Sequence, residues 1–168
     1  MIRNNITITT KDIVLIGTML TTLEVAKYLL SFISGIEVVS LLFIVYTLFF
    51  EKKMVYLLSA FYIVEGALYG FGIWWFMYLY IWALLVFITY LFRKNNSVWF
   101  WSTLSGLYGL LFGLLCSPVY LVIGGVQMAA SWWITGISTD IIHGISNFIL
   151  CMFLFKPLKK ALAIKLRK

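Results

Sequence analysis

The chain reads as an all-α integral membrane protein, a single domain of six transmembrane helices with both termini on the cytoplasmic side. Three observations predict this. First, 63% of its 168 residues are hydrophobic and only 11% are charged, more apolar surface than a soluble domain of this length could bury. Second, the apolar residues fall into runs near spanning length, divided by short turn-forming or basic segments. Third, the basic residues alternate between connections. Arg3, Lys11, Lys52, Lys53, Arg93, Lys94 and the tail from Lys156 to Lys168 fall at the termini and in two connections, while SFISGIE, GFGIWW and Pro118–Ser131 carry no Lys or Arg. Basic connections stay inside, so both termini are expected there and the number of spans is even. The same placement accounts for the net charge of +7 without a nucleic-acid partner.

The first helix is expected over Ile13–Ile33, longer than a signal-peptide core and without a small-residue cleavage site. It carries Glu24 and Lys27, spaced as an i,i+3 ion pair, with direct ligand contact as the alternative. Thr18, Thr22 and Ala26 form a small-residue line on the same helix, suited to close packing. The second helix, Val38–Phe50, is short for a crossing; it begins as early as Gly35, or is tilted or embedded in the bundle. Glu37, at its start, suits an N-terminal cap. The third helix, Met54–Gly70, places Glu65 roughly 10 Å inside its outer end, with no basic residue near it in sequence.

On the fourth helix, Trp74–Phe92, residues Trp75, Tyr78 and Trp82 share one face. That stripe is either core packing or a stacking surface for a planar ligand. Trp82 alone among the tryptophans falls well inside a span. Trp74, Trp75, Trp132 and Trp133 mark an outer aromatic belt, and Trp99 and Trp101 an inner one. The fifth helix, Val98–Ser117, offers a smooth glycine face at Gly106, Gly109 and Gly113. Pro118–Ser131 is too apolar for an ordinary outer loop. Gly124-Gly125 would fold it over the bundle as a lid; otherwise it skims the interface. Cys116 and Cys151 lie near opposite membrane faces, too far apart to pair, and read as inert thiols. Beyond Pro157 the basic tail reads as an amphipathic helix on the anionic inner leaflet.

The sixth helix, Trp133–Phe155, holds the most informative residues. Asp140, His143 and Asn147 are spaced three and four apart, on one face of an otherwise apolar segment. A carboxylate at membrane depth costs several kcal/mol, roughly 2.5–3.5 on insertion scales, and so needs a partner, a proton or a ligand. An Asp140–His143 hydrogen bond with Asn147 bonded across helices would make a structural polar patch. With Glu65, Glu24 and Gln127 at similar depth, the face reads instead as the wall of a binding site.

Several classes are excluded by what the chain lacks. It has no GxxxxGK[ST] phosphate loop, no zinc-ligand set and no nucleophile–base pair. No enzyme activity, cofactor or metal is therefore expected. Paired halves of a secondary transporter are absent as well. A proton channel or membrane enzyme would require Asp140 and His143 to titrate near neutrality.

The segments GIEVVSLLFIVYTLFF, YGFGIWWFMYLYIWALLVFITYLFRK, SGLYGLLFGLLCSPVYL and ITGISTDIIHGISNFILCMFLFKPLKKAL resemble the substrate-binding S components of energy-coupling factor (ECF) vitamin transporters. The resemblance runs from about Ile13 to Leu162. The family's final-helix pattern, G-[IV]-P-F-D-x-x-H-x-x-x-N-F, is met at Gly136, Ile137, Asp140, His143, Asn147 and Phe148, with Ser138-Thr139 in place of Pro-Phe. Its P-N-[IV]-E before the second helix becomes Ser34-Gly35-Ile36-Glu37, which keeps the acid. The pattern WW-x-x-Y-L-Y-x-W points within the family to a cobalamin-type branch. The resemblance implies a bacterial plasma-membrane subunit that captures a vitamin or related micronutrient from outside. It also implies partners, a transmembrane coupling subunit and two ATPase subunits, with the Thr18, Thr22 and Ala26 line docking on the former. Glu65, Trp75, Tyr78, Trp82, Gln127, Asp140, His143 and Asn147 are the expected substrate contacts. The competing expectation is a non-transporting, MreD-like membrane scaffold, for which buried acids would matter to stability or assembly alone.

Overall fold

A computed structural model describes residues 8–33 and 35–166, with side chains up to 164. Ser34 of the Ser34–Glu37 segment, Arg3 and the last basic residues of the tail lie outside this range. The described chain is all-helical, and three of its helical stretches are long and apolar enough to cross a membrane. The helices are α1 (Thr10–Leu30), α2 (Val39–Phe50), α3 (Met54–Tyr69), α4 (Ile73–Leu91), α5 (Val98–Leu110) and α6 (Phe112–Leu166), with one 3-10 turn at Glu51–Lys53.

Sequence logic is visible at the helix ends. Thr9 and Asp12 cap α1 reciprocally, the Thr9 side chain accepting from the Asp12 N–H and the Asp12 carboxylate accepting from the Thr9 N–H. Ser97 caps α5. At only 12 residues, α2 is about 18 Å long. Every residue from Val39 to Thr47 is buried, and α2 packs against each of the other five helices. Of the expectations for this short segment, the embedded one describes it. Phe43 on α2 anchors the core, stacked on Trp82 at 5.2 Å and edge-on to Phe61 at 5.3 Å.

The largest departure from expectation concerns Pro118–Ser131. It is neither a loop nor an irregular lid but helix on both sides of a single bend at Gly124-Gly125. Gly125 has φ +73° and ψ −171°, a conformation that side chains disfavour. Pro118 reads as a turn signal, yet it sits inside the helix. A proline there leaves the carbonyl of residue 114 without its usual donor, and the Ser117 hydroxyl donates to that carbonyl at 2.8 Å. The span expected from Trp133 accordingly starts just after the bend within α6, and the first part of α6, 112–123, follows α5 directly past Leu111.

The arms 98–123 and 126–166 form an antiparallel hairpin. Gly106 meets Phe148 and Gly144, Gly109 meets His143 and Asn147, and Gly113 meets Asp140. Nearer the bend, Tyr120 stacks on Trp132 at 4.3 Å. The glycine face thus performs the close packing its pattern predicts. By the helical rise, arm 98–123 is about 39 Å long and arm 126–166 about 60 Å. The bend therefore overhangs the bundle, with Leu121 to Met128 exposed. The far arm also carries the tail, which continues the helix through Pro157 and packs Leu158 and Leu162 on the core. The tail is thus the end of one long helix and not the separate helix expected there.

The bundle has two chemically different ends. One gathers the start of α1, the 3-10 turn, the connection 92–97 and the tail, with nearly all the described Lys and Arg. The other gathers the segment 31–38, the α3–α4 connection and the overhanging hairpin, and Lys27 is the only described Lys or Arg near it. Trp101 belongs to neither belt. It is fully buried, and its Nε1–H donates to the Asn95 carbonyl at 3.0 Å.

Candidate functional site

At the second end lies a cavity of about 420 Å³. Its aromatic wall comes from α3, α4 and the hairpin: Phe61, Tyr78, Trp82, Phe112 and Trp132. Its polar lining is Lys27 from α1, Glu37 from the segment before α2, and Thr135, Thr139, Asp140 and His143 from α6. The overhang of the hairpin is what brings Trp132, Thr135 and Thr139 across its mouth.

Three polar clusters surround the space. In the first, Lys27 bonds the Glu65 carboxylate across 38 residues of sequence. Its ammonium also lies 4.3 Å from the Tyr69 ring centre and 5.5 Å from that of Tyr78. This corrects the expected Glu24–Lys27 pair, because α1 and α3 pack so that Lys27 reaches the fully buried Glu65 instead. Both Glu24 oxygens are left buried without a hydrogen-bond partner.

In the second cluster, Glu37 joins α2 to α6. It accepts from the Ser40 N–H at 2.9 Å and the Ser40 hydroxyl at 2.6 Å, the capping role its position predicts. It also accepts from Asn147 Nδ2 at 2.8 Å, and His143 Nε2 lies 3.3 Å away, misaligned for a hydrogen bond. Burial pushes the Glu37 carboxyl up, but His143 and Ser40 outweigh it and hold the group below the usual carboxylate range. Gly35 makes this approach possible. Its φ of +77° turns the chain against α6, where a Cβ would come within 2.9 Å of Ile142, and its carbonyl accepts from the Ser146 hydroxyl at 2.8 Å.

The third cluster is Asp140. The Asp140–His143 hydrogen bond of the structural alternative is not made, because the two side chains turn to different neighbours. Asp140 accepts from the Gly113 N–H, 3.1 Å from each oxygen, and His143 packs on Phe112 and faces Glu37. Among the described residues no Lys or Arg pairs with Asp140.

Four of the residues singled out in the sequence, Tyr78, Trp82, Asp140 and His143, line the cavity together. Glu65 sits behind Lys27, and Asn147 is buried beneath His143, bonded to Glu37. Trp75 does not reach the cavity, since its Nε1–H donates to the Tyr62 carbonyl at 2.8 Å. Gln127 is exposed beside the hairpin bend. Sequence reasoning placed neither Glu37 nor Trp132, Thr135 and Thr139 in the site. The acid retained in the Ser34–Glu37 segment was the available signal for Glu37. The α6 residues depend on a hairpin that the glycine pair and Pro118 disguised as a loop.

Thr18 and Thr22 are exposed on α1, and their hydroxyls donate to the Val14 and Thr18 carbonyls, so the line presents mainly methyl groups. They edge a groove of about 220 Å³ between α1, α2 and the tail. Ala26 is half-buried against the core. Among the described residues no three His, Cys, Asp or Glu side chains are grouped to hold a metal ion. Comparison with protein-family models, curated proteins and solved structures returned no match.

Proposed function

We propose that the chain is the substrate-binding membrane subunit of an ECF-type importer. In this reading it crosses the bacterial plasma membrane six times with both termini in the cytoplasm. It captures a vitamin or related micronutrient from outside and passes it to a coupling module, made of a transmembrane coupling subunit and two ATPase subunits. The observation that carries the reading is the cavity at the end away from the basic connections, where an aromatic wall faces Asp140, His143 and Glu37. Pockets that combine apolar walls with a few convergent polar groups are the usual form of small-molecule sites, and about 420 Å³ falls in their range. That volume favours one or two ring systems over a corrinoid, so a smaller vitamin suits this cavity better than cobalamin. The exposed methyl line of Thr18 and Thr22 is the surface assigned to the coupling subunit.

The test is thermal stabilisation of the purified protein by a panel of vitamins, paired with capture of its partners from the native membrane. A stabilising vitamin and co-purified ATPases support the reading. No stabilisation by any vitamin, with cell-wall synthesis proteins captured instead, replaces it with the MreD-like scaffold.

A further inference from the structure

The charges around the cavity do not balance. Lys27 is matched by Glu65, and the His143 ring faces Glu37 at 3.3 Å. Asp140 is left with a backbone amide alone, although only 6% of it is exposed. Glu24, beside the Lys27–Glu65 pair, has no partner either. Even with Glu24 protonated and His143 set against Glu37, Lys27 is taken up by Glu65 and Asp140 is left over. Leaving a desolvated carboxylate unpaired is expensive, whereas a cation brought by a ligand would be attracted to it.

A second, independent observation concerns the wall. Trp82 is only 3% exposed and lines the cavity, yet its Nε1–H has no acceptor. Buried indole N–H groups usually find a partner. Phe43 stacks on its ring at 5.2 Å, Tyr78 packs nearly perpendicular to it at 5.5 Å, and Phe112 lies tilted at 6.1 Å. Trp82 therefore offers a donor and Asp140 an acceptor to one space walled with aromatic faces, and such faces favour positive charge.

Resting on the proposed capture function, we infer that the ligand is a small planar heteroaromatic cation carrying a hydrogen-bond acceptor. Its charge is set against Asp140, its ring lies among Tyr78, Phe112 and Trp132, and its acceptor takes the Trp82 Nε1–H. An anionic ligand would be repelled by Asp140, and a neutral one would leave its charge to be met by a proton alone.

Two series of probes separate charge from shape. The first holds one ring constant: 1-methylnicotinamide as cation, nicotinamide as neutral form and nicotinate as anion. The second is of vitamin size: thiamine as cation, riboflavin as neutral compound and biotin as anion. Affinities are measured by titration of the purified full chain. In each series the cation should bind at least about tenfold tighter than its neutral counterpart, the scale of a desolvated cation–aromatic contact with a carboxylate behind it. Asp140→Asn keeps the side-chain shape and an acceptor for the Gly113 amide, and it should erase most of that preference. Tighter binding of riboflavin, biotin or nicotinate overturns the cation while leaving capture in place. A cation preference untouched by Asp140→Asn overturns the assignment to Asp140. Binding by no compound in either series overturns this inference, while the capture reading stands or falls on the wider vitamin panel and the captured partners.

Discussion

The two ends of the bundle hold their charges in opposite ways. At the basic end, Lys53 bonds Asp12, Arg93 Nε lies 3.4 Å from Glu51, and Lys159 donates to Asn96 at 2.9 Å. These groups reach solvent, each acid has a cation, and such pairs contribute little to stability. At the cavity end, the acids are desolvated and more numerous than the cations, and the Trp82 N–H and the Glu24 carboxyl have no partner. Burial makes each mismatch costly there. One end is satisfied by its own residues and by water. The other keeps buried polar groups that its described residues leave without partners.

The comparison is broken most severely by removing a cation from the cavity end. Lys27→Met strands Glu65, which is fully buried, and should lower stability by about 3–5 kcal/mol. Thermal denaturation in detergent measures it, and adding Glu65→Gln should recover much of the loss. A lone Lys27→Met that melts like the parent would show that the two ends do not differ.

Next comes the hairpin that builds the cavity mouth. A Cβ at Gly109 would lie 2.9 Å from the His143 carbonyl and Asn147 Nδ2. Gly109→Val should therefore cost about 1–3 kcal/mol through overpacking and weaken ligand binding, both visible in one ligand-dependent melting experiment. Gly17, with open space around its Cβ position, supplies the control. Gly17→Ala should melt no lower than the parent, because alanine favours helix.

That hairpin also marks how far the sequence could be read. Helical class, the glycine face and the cap at Glu37 follow from local pattern, because each depends on neighbours a few residues apart. Asp140 and His143 were visible as energetic anomalies in an apolar run. Their partners were not, because Gly113, Glu37 and the Lys27–Glu65 pair are set by how helices pack. Trp75 and Trp82 share a stripe in sequence, yet only Trp82 turns into the cavity. Residues 118–131 misled for a physical reason. Proline and a glycine pair usually mark a loop, but here Ser117 repairs the proline's lost hydrogen bond and the glycines bend a helix once.

Smaller effects sharpen the contrast. The Glu37 carboxyl is held below its usual range, so its contribution is present above the ordinary carboxylate pKa and is lost as pH falls through the lowered one. Acidifying from neutral pH toward the lower end of the carboxylate range should destabilise the parent more than Glu37→Gln. Equal acid sensitivity of the two would remove that role from Glu37. Smallest of all, Arg93→Ala at the basic end should shift stability by less than about 1 kcal/mol, checked in the same denaturation assay.

In the proposed site Asp140 and Trp82 face one bound ligand. The most direct test of this is calorimetric titration of the best-binding vitamin into the parent, Asp140→Ala and Trp82→Ala, each first shown to be folded. Each variant should lose at least about tenfold in affinity, on the scale of one charged or aromatic contact removed. Affinity unchanged in both would contradict that site.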